Sequence, residues 1–306
     1  MILDDLIEEI SPGLYQIGDF ATPVFLVDAP SPVLVDAGYS FTSELYAGAV
    51  HRILGKRKLS WCLITHTHFD HVGAVGYFKN LFPEMKIGAS GLACQIMSKQ
   101  KSLDHIAGLN LFAESIFFSE THLSSSPFQP FQIDTILSEG DVLNIGNSLN
   151  ISVIETPGHT RDSLCFYLNE QKTIFTGDCG GIVHDSGYIF YDFLSGCAAY
   201  IHSLNKICNS GAEILCPGHY NSFKDAKCEQ YLVDLVPGCM KFIDFVSGIL
   251  SAHNNDINIC MNIIKSLEYD VLPQPKQPEP AYLLNLEARL RSVLSFVSTD
   301  LSRFLT

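Results

Sequence analysis

The chain has 306 residues, 47% of them apolar and 17% charged, which excludes a disordered chain and suffices for one large α/β domain with an appendage, or for two domains. Its 33 acidic residues against 19 basic ones give a net charge of −14. That balance excludes phosphate-backbone binding as a main function, because affinity for nucleic acid comes from Lys and Arg.

The N-terminal ten residues are acidic and lack a basic region, so they do not read as a signal peptide. Short strands are predicted at 14–17, 23–27 and 32–38, separated by turns, followed by a helix over 41–54 with apolar positions at Leu45, Ala49, Ile53 and Leu54. A strand at 61–64, a helix at 73–82 ending before Pro83, a strand at 86–90 and a mainly helical stretch at 91–120 come next. A Ser/Pro loop at 123–130 leads into strands around 133–137, 141–145, 149–155, 163–168 and 172–176, then a helix at 196–208 and a strand at 213–216. From 225 the pattern is helical, over 225–251, 256–267 and 280–304, with a Pro-rich connector at 273–280. This order predicts an α/β domain over 1–224 and a helical C-terminal extension over 225–306. No stretch of eighteen apolar residues stands out, so no membrane partner is expected. The ten cysteines never form C-x-x-C and read as reduced thiols, which with the N-terminus points to a cytoplasmic protein.

The most informative segment follows the apolar run 61–64. Thr65-His66-Thr67-His68-Phe69-Asp70-His71 places four metal-capable side chains within six residues, at the end of a strand. Imidazole nitrogens and carboxylate oxygens together suit zinc, iron or manganese, whereas calcium prefers oxygen alone. Four ligands cannot complete two ions, so further ligands are expected at other strand ends. Three stand out: His159 in Pro157-Gly158-His159, Asp178 in Gly177-Asp178, and His219 in Pro217-Gly218-His219. Each is a common turn or packing residue when taken alone. Their joint order, H-x-H-x-D-H then H, D and H, is far more specific. His184, soon after Asp178, is a candidate substrate contact.

On these motifs the chain resembles the metallo-β-lactamase superfamily, in its glyoxalase II-like branch, from about residue 12 to residue 223. The resemblance implies a four-layer αβ/βα sandwich with a dinuclear metal site at one edge. It implies that His66, His68 and His159 hold one ion, that Asp70, His71 and His219 hold the second, and that Asp178 bridges them. Asp36, in Val35-Asp36-Ala37-Gly38, matches the early Asp of the family and is expected to hydrogen-bond to a ligand loop. A narrower likeness, through residues 23–27, 64–71, Gly158 to Asp162 and the helical tail, is to thioesterase-like members of the quinolone-signal response type. Gly181-Ile182 departs from that type, which has an acidic residue shortly after the bridging Asp. The tail cations Lys265, Lys276, Arg289, Arg291 and Arg303 are too widely spaced to read as a glutathione cradle.

The function expected is metal-dependent hydrolysis of a small-molecule thioester or ester, of acyl-CoA or acyl-glutathione type, by a hydroxide bridging two divalent ions. Asp70 is the expected catalytic proton carrier. Two alternatives stand beside it: a regulatory binding partner with secondary hydrolase activity, and a mononuclear iron sulfur dioxygenase. Flavodiiron oxidases fit worse, because they carry Glu where this chain has His68. The C-terminal helices are expected to choose the substrate, with Phe193 and Tyr282 as candidates to line a tunnel, or else to form a homodimer.

Overall fold

The computed structural model describes residues 6–18, 22–117, 126–184, 186–220, 222–274 and 276–304, with 299–304 described by backbone alone. Two sheets carry the fold. The first has seven strands in chain order: β1 (Ile7–Ser11), β2 (Leu14–Ile17), β3 (Val24–Val27), β4 (Val33–Val35), β5 (Trp61–Leu63), β6 (Lys86–Ser90) and β7 (Thr135–Leu137). Pairing is antiparallel from β1 to β4 and parallel from β4 to β7. The second has six strands. Its chain order is β8 (Val142–Gly146), β9 (Leu149–Glu155), β10 (Leu164–Leu168), β11 (Thr173–Gly177), β14 (Ile214–Pro217) and β15 (Phe223–Lys224), and in space it runs β15-β14-β11-β10-β9-β8. A separate hairpin joins β12 (Ile182–Val183) to β13 (Ile189–Phe190).

The helices are α1 (Ser43–Leu54), α2 (Phe69–Val72), α3 (Val75–Leu81), α4 (Gly91–Met97), α5 (Gln100–Phe117), α6 (Cys197–Cys208), α7 (Asp225–Ala252), α8 (Ile257–Leu267) and α9 (Glu279–Phe304). Strand alternation decides the layering. In β3, Val24 and Leu26 face α1, α3 and α4, while Phe25 and Val27 face the other sheet. A strand buried on both faces reads as a continuous apolar run, which is why residues 23–27 and 61–64 carry no polar alternation. Between the sheets, Phe25, Val35 and Leu63 meet Val153, Phe166 and Phe175, and the Phe25 and Phe175 rings lie 5.5 Å apart. Each such side chain contributes about 1.5–3 kcal/mol by burial. On the outer face of the second sheet, α6 to α9 share one apolar cluster with Cys165, Ile174 and Leu215. The layers are therefore helix, sheet, sheet, helix, the αβ/βα sandwich that the sequence predicts, with C-terminal helices added.

Some elements differ from the expectation. β1, β12, β13 and β15 are short or lie at edges and had no periodicity to reveal them. The helix expected at 73–82 is α3, and a further short helix, α2, precedes it inside the His/Asp segment, where the sequence reads as a loop. Residues 123–125 of the expected Ser/Pro loop lie outside the described residues. By length and composition α7 could cross a membrane, with a mean hydropathy of 1.4 over an 18-residue window, although the sequence reading expects no such segment. Small Cys, Gly and Ser residues among its larger apolar ones account for this. Its face with Tyr231, Leu235, Phe242, Val246 and Leu250 is buried against the other helices and the sheet. All ten cysteines are unpaired, as the scattered spacing predicts.

Candidate metal centre

β4, β5, β9, β11 and β14 run in directions that bring their C-terminal ends to one edge of the sandwich. Asp36 follows β4, residues 65–71 follow β5, His159 follows β9, Asp178 follows β11 and His219 follows β14. The two sheets are joined at this edge. Leu164 N donates to Thr65 O at 2.7 Å, and Thr67 N donates to Asp162 Oδ2 at 2.9 Å.

The seven predicted side chains come together as two groups. His66, His68, His159 and Asp178 each offer one atom, all within 4.8 Å of one another, and Asp70, His71 and His219 do the same. Asp178 lies between them. Its Oδ2 is 3.3 Å from His159 Nε2 and 3.4 Å from His219 Nε2, and its Oδ1 is 3.3 Å from His71 Nε2. Asp70 Oδ2 is 3.6 Å from His219 Nε2.

Hydrogen bonds fix which nitrogen each imidazole presents. Asp36 accepts from Thr65 N (2.8 Å), from Thr65 Oγ1 (2.8 Å) and from His71 Nδ1 (2.9 Å). Because Thr65 Oγ1 donates to Asp36, it is free to accept from His66 Nδ1 at 3.0 Å. His159 Nδ1 donates to the Asp192 carbonyl at 2.8 Å. All three rings thus turn Nε2 inward. His68 instead turns Nδ1 inward, 3.1 Å from His159 Nε2.

His66, His71, His159 and Asp178 are buried, and His66 Nε2, His71 Nε2 and Asp178 Oδ1 have no hydrogen-bond partner. Buried polar atoms are normally satisfied, so three orphans converging on one spot need a ligand. Gly218 lets two of these side chains pack directly against the backbone. A Cβ at Gly218 would stand 2.3 Å from Asp178 Oδ1 and 2.7 Å from His71 Cε1. These residues fit a divalent transition metal, with nitrogen and carboxylate donors whose unpartnered atoms converge.

Electrostatics separate the two groups. Burial and neighbouring imidazoles push His66 well down, and burial with His159 lowers His68 to about 4, so both stay neutral, as ligands must be. Burial also lowers His159. Burial opposes charge on His71 and His219 too, but the carboxylates of Asp178 and its neighbours outweigh it, holding His71 well up and His219 at about 9. Burial resists the Asp178 charge, yet His219 and His71 hold its carboxyl well below the usual range.

His184 is buried and has both nitrogens engaged. Nδ1 accepts from Ser186 N at 3.0 Å and Nε2 faces the Pro273 carbonyl at 3.2 Å, so it serves the hairpin and not an open face. Phe193 and Tyr282 are fully buried in the helix core and do not line an open tunnel. The sequence reading missed Thr65 as a relay and Asp192 as an orienting carbonyl. It also missed Asn110, which accepts from Ser40 N at 2.8 Å and donates to Phe69 O at 3.1 Å, bracing the His68–Asp70 turn.

A two-sheet sandwich with paired His/Asp groups at its edge defines a class of metal-site proteins, and comparison names it. The profile of the Metallo-beta-lactamase superfamily matches residues 17–219, and the chain belongs to that superfamily. It is similar to the acyl-coenzyme A thioesterase MBLAC2 of Bos taurus, 25% identical over 244 residues, which cover 72% of this chain and 80% of that protein. Glyoxylase B2 of Dictyostelium discoideum is 33% identical over 148 residues, 48% of this chain and 44% of its own. In fold it is similar to a metallo-beta-lactamase family protein of Thermus thermophilus, with a TM-score of 0.61, 18% identity and 95% of each chain covered.

Proposed function

We propose that this protein is a divalent-metal-dependent hydrolase that cleaves a small-molecule thioester of the acyl-CoA or acyl-glutathione type. The observation that carries the reading is the meeting of two His/Asp groups at Asp178. His66, His68 and His159 would hold one ion, Asp70, His71 and His219 the other, and Asp178 both. Ions held there supply a water of pKa about 7 and polarisation of the scissile carbonyl oxygen.

The residues do the rest. Asp70 is partly exposed beside His219, at the mouth of the site, and is suited to take up a proton and carry it to the leaving sulfur. Across the reaction a C–O bond forms and the C–S bond breaks. Water gives its hydroxyl to the acyl group and its remaining proton to the thiol. A thiol of pKa about 8.5 leaves readily, so one carboxylate suffices as proton carrier.

The thioesterase named among the relatives supports this substrate class. Four of the tail cations are engaged within the chain and form no glutathione cradle. Lys265 pairs with Asp270, Lys276 donates to Tyr269 and Leu272 carbonyls, Arg289 grips Glu268 and Arg291 grips Glu287. The second group, Asp70–His71–His219, favours a two-ion hydrolase over a mononuclear sulfur dioxygenase. The test is release of free thiol from a series of acyl-CoA and S-acylglutathione esters, with Zn²⁺, Fe²⁺ or Mn²⁺ supplied. Turnover that disappears in His68→Ala and Asp178→Ala is expected. Absence of turnover with every metal, or oxygen uptake with a persulfide instead, overturns the reading.

A further inference from the structure

His159 takes its orientation from a residue 33 positions later, the carbonyl of Asp192. Asp192 closes the segment that Asp178 opens, so this stretch bears on the centre at both ends. The C-terminal extension grips the stretch along its length. The Tyr231 hydroxyl donates to Gly180 O at 2.6 Å, the Tyr188 hydroxyl donates to Glu268 at 2.7 Å, and Asn285 Nδ2 donates to Asp192 Oδ2 at 3.0 Å.

Arg289 of α9 sits at the focus of these contacts and is fully buried. Its two terminal nitrogens hold Glu268 at 3.0 and 2.7 Å, and its guanidinium lies over the rings of Phe242 and Tyr282 at 5.1 and 5.5 Å. Its Nε faces Asp192 Oδ1 at 3.5 Å, and these two atoms are the ones in the network without a hydrogen-bond partner. A buried Arg–Glu pair serves stability no better than apolar residues of similar volume. A role in packing alone therefore does not account for the charge. The direction of Nε does, because it points at the residue whose carbonyl sets His159.

We propose that Arg289 is a positioning residue of the metal centre: by holding Asp192 from behind, it fixes the carbonyl that orients His159. The C-terminal helix is then part of the site's support as well as its cover. The consequence for metal rests on the proposed metal-binding function, whereas the effect on the His159 ring does not.

The experiment uses full-length protein labelled at histidine nitrogen, with and without Zn²⁺. It follows the His159 Nδ1–H signal, assigned by its disappearance in His159→Gln. Glu268→Gln with Arg289→Met removes the Glu268–Arg289 pair at similar volume and takes the cation away from Asp192. Asp192→Asn, which keeps the backbone carbonyl and the Glu268–Arg289 pair, is the milder variant. Leu290→Ala, buried on the same helix, is the control for stability alone. The expected result is faster exchange of the His159 proton in the first two variants, and Zn²⁺ affinity weaker by about 10–100-fold, as for other residues that orient ligands. Leu290→Ala keeps both properties while melting earlier. A His159 proton as protected in the charge-removed variants as in the wild type overturns the inference, and so does an equal loss in Leu290→Ala. If the wild-type proton is protected but no Zn²⁺ binds, the metal reading fails, and the proton comparison still decides the role of Arg289.

Discussion

Gly218 shows how closely single residues set this centre. Its missing Cβ leaves the gap that Asp178 Oδ1 and His71 occupy, so Gly218→Ala must displace the carboxylate or the ring. We expect that variant to keep its fold, by circular dichroism, and to lose most of its bound metal, by metal analysis. Asp36 acts at one remove. It accepts three hydrogen bonds on two oxygens, and an amide at that position must turn a donor toward one of them. Asp36→Asn should weaken metal binding by about 10–100-fold, measured by competition with a chelator. At this scale the side chains that converge were legible in sequence, because His and Asp at strand ends beside Gly are rare in combination. Their supports were less so. Thr65 reads as an ordinary strand-end residue, and the orienting group of Asp192 is a backbone carbonyl, which every residue has.

Among the elements, strands buried on both faces were legible as apolar runs, and the 149–155 strand coincides with β9. Edge strands were not. β1 is Ile-Glu-Glu-Ile-Ser, and its acidic pair masks a short exposed strand. The C-terminal helices were legible by period, but their attachment was not. They bury Tyr200, Leu204, Ile207 and Leu215 within one cluster. At about 1.5–3 kcal/mol for each large side chain, exposing that face costs an amount comparable to a typical domain's net stability. A chain ending at Lys224 is therefore expected to bind hydrophobic dye and to melt without cooperativity. A sharp two-state melt of that fragment, with native-like near-ultraviolet dichroism, would show the extension to be dispensable for folding.

For the whole molecule, the buried Glu268–Arg289 pair links stability to pH. Burial opposes the Glu268 charge, but Arg289 outweighs it and holds the carboxyl below its usual range. In the unfolded chain the same carboxyl titrates near about 4.3. A carboxyl lowered by folding contributes stability above that unfolded value and loses it as pH falls through the folded value. Melting temperature should therefore fall below about pH 4. It should fall less steeply in the double variant Glu268→Gln with Arg289→Met, as scanning calorimetry across pH would show. The sandwich followed from the family resemblance that the His/Asp series carries. The contacts between tail and site did not, because they run through residues of α9, the 178–192 segment and the turn after β9 that only the folded chain brings together.

The central claim is that seven side chains from strand ends of both sheets hold a pair of divalent ions. Its most direct test is metal content per chain after saturation with Zn²⁺, Fe²⁺ or Mn²⁺ and removal of the excess. About two equivalents are expected in the wild type, and about one or fewer in His219→Ala and Asp178→Ala with cooperative melting retained. A wild-type protein that keeps no metal, or variants that keep as much as the wild type, would contradict it.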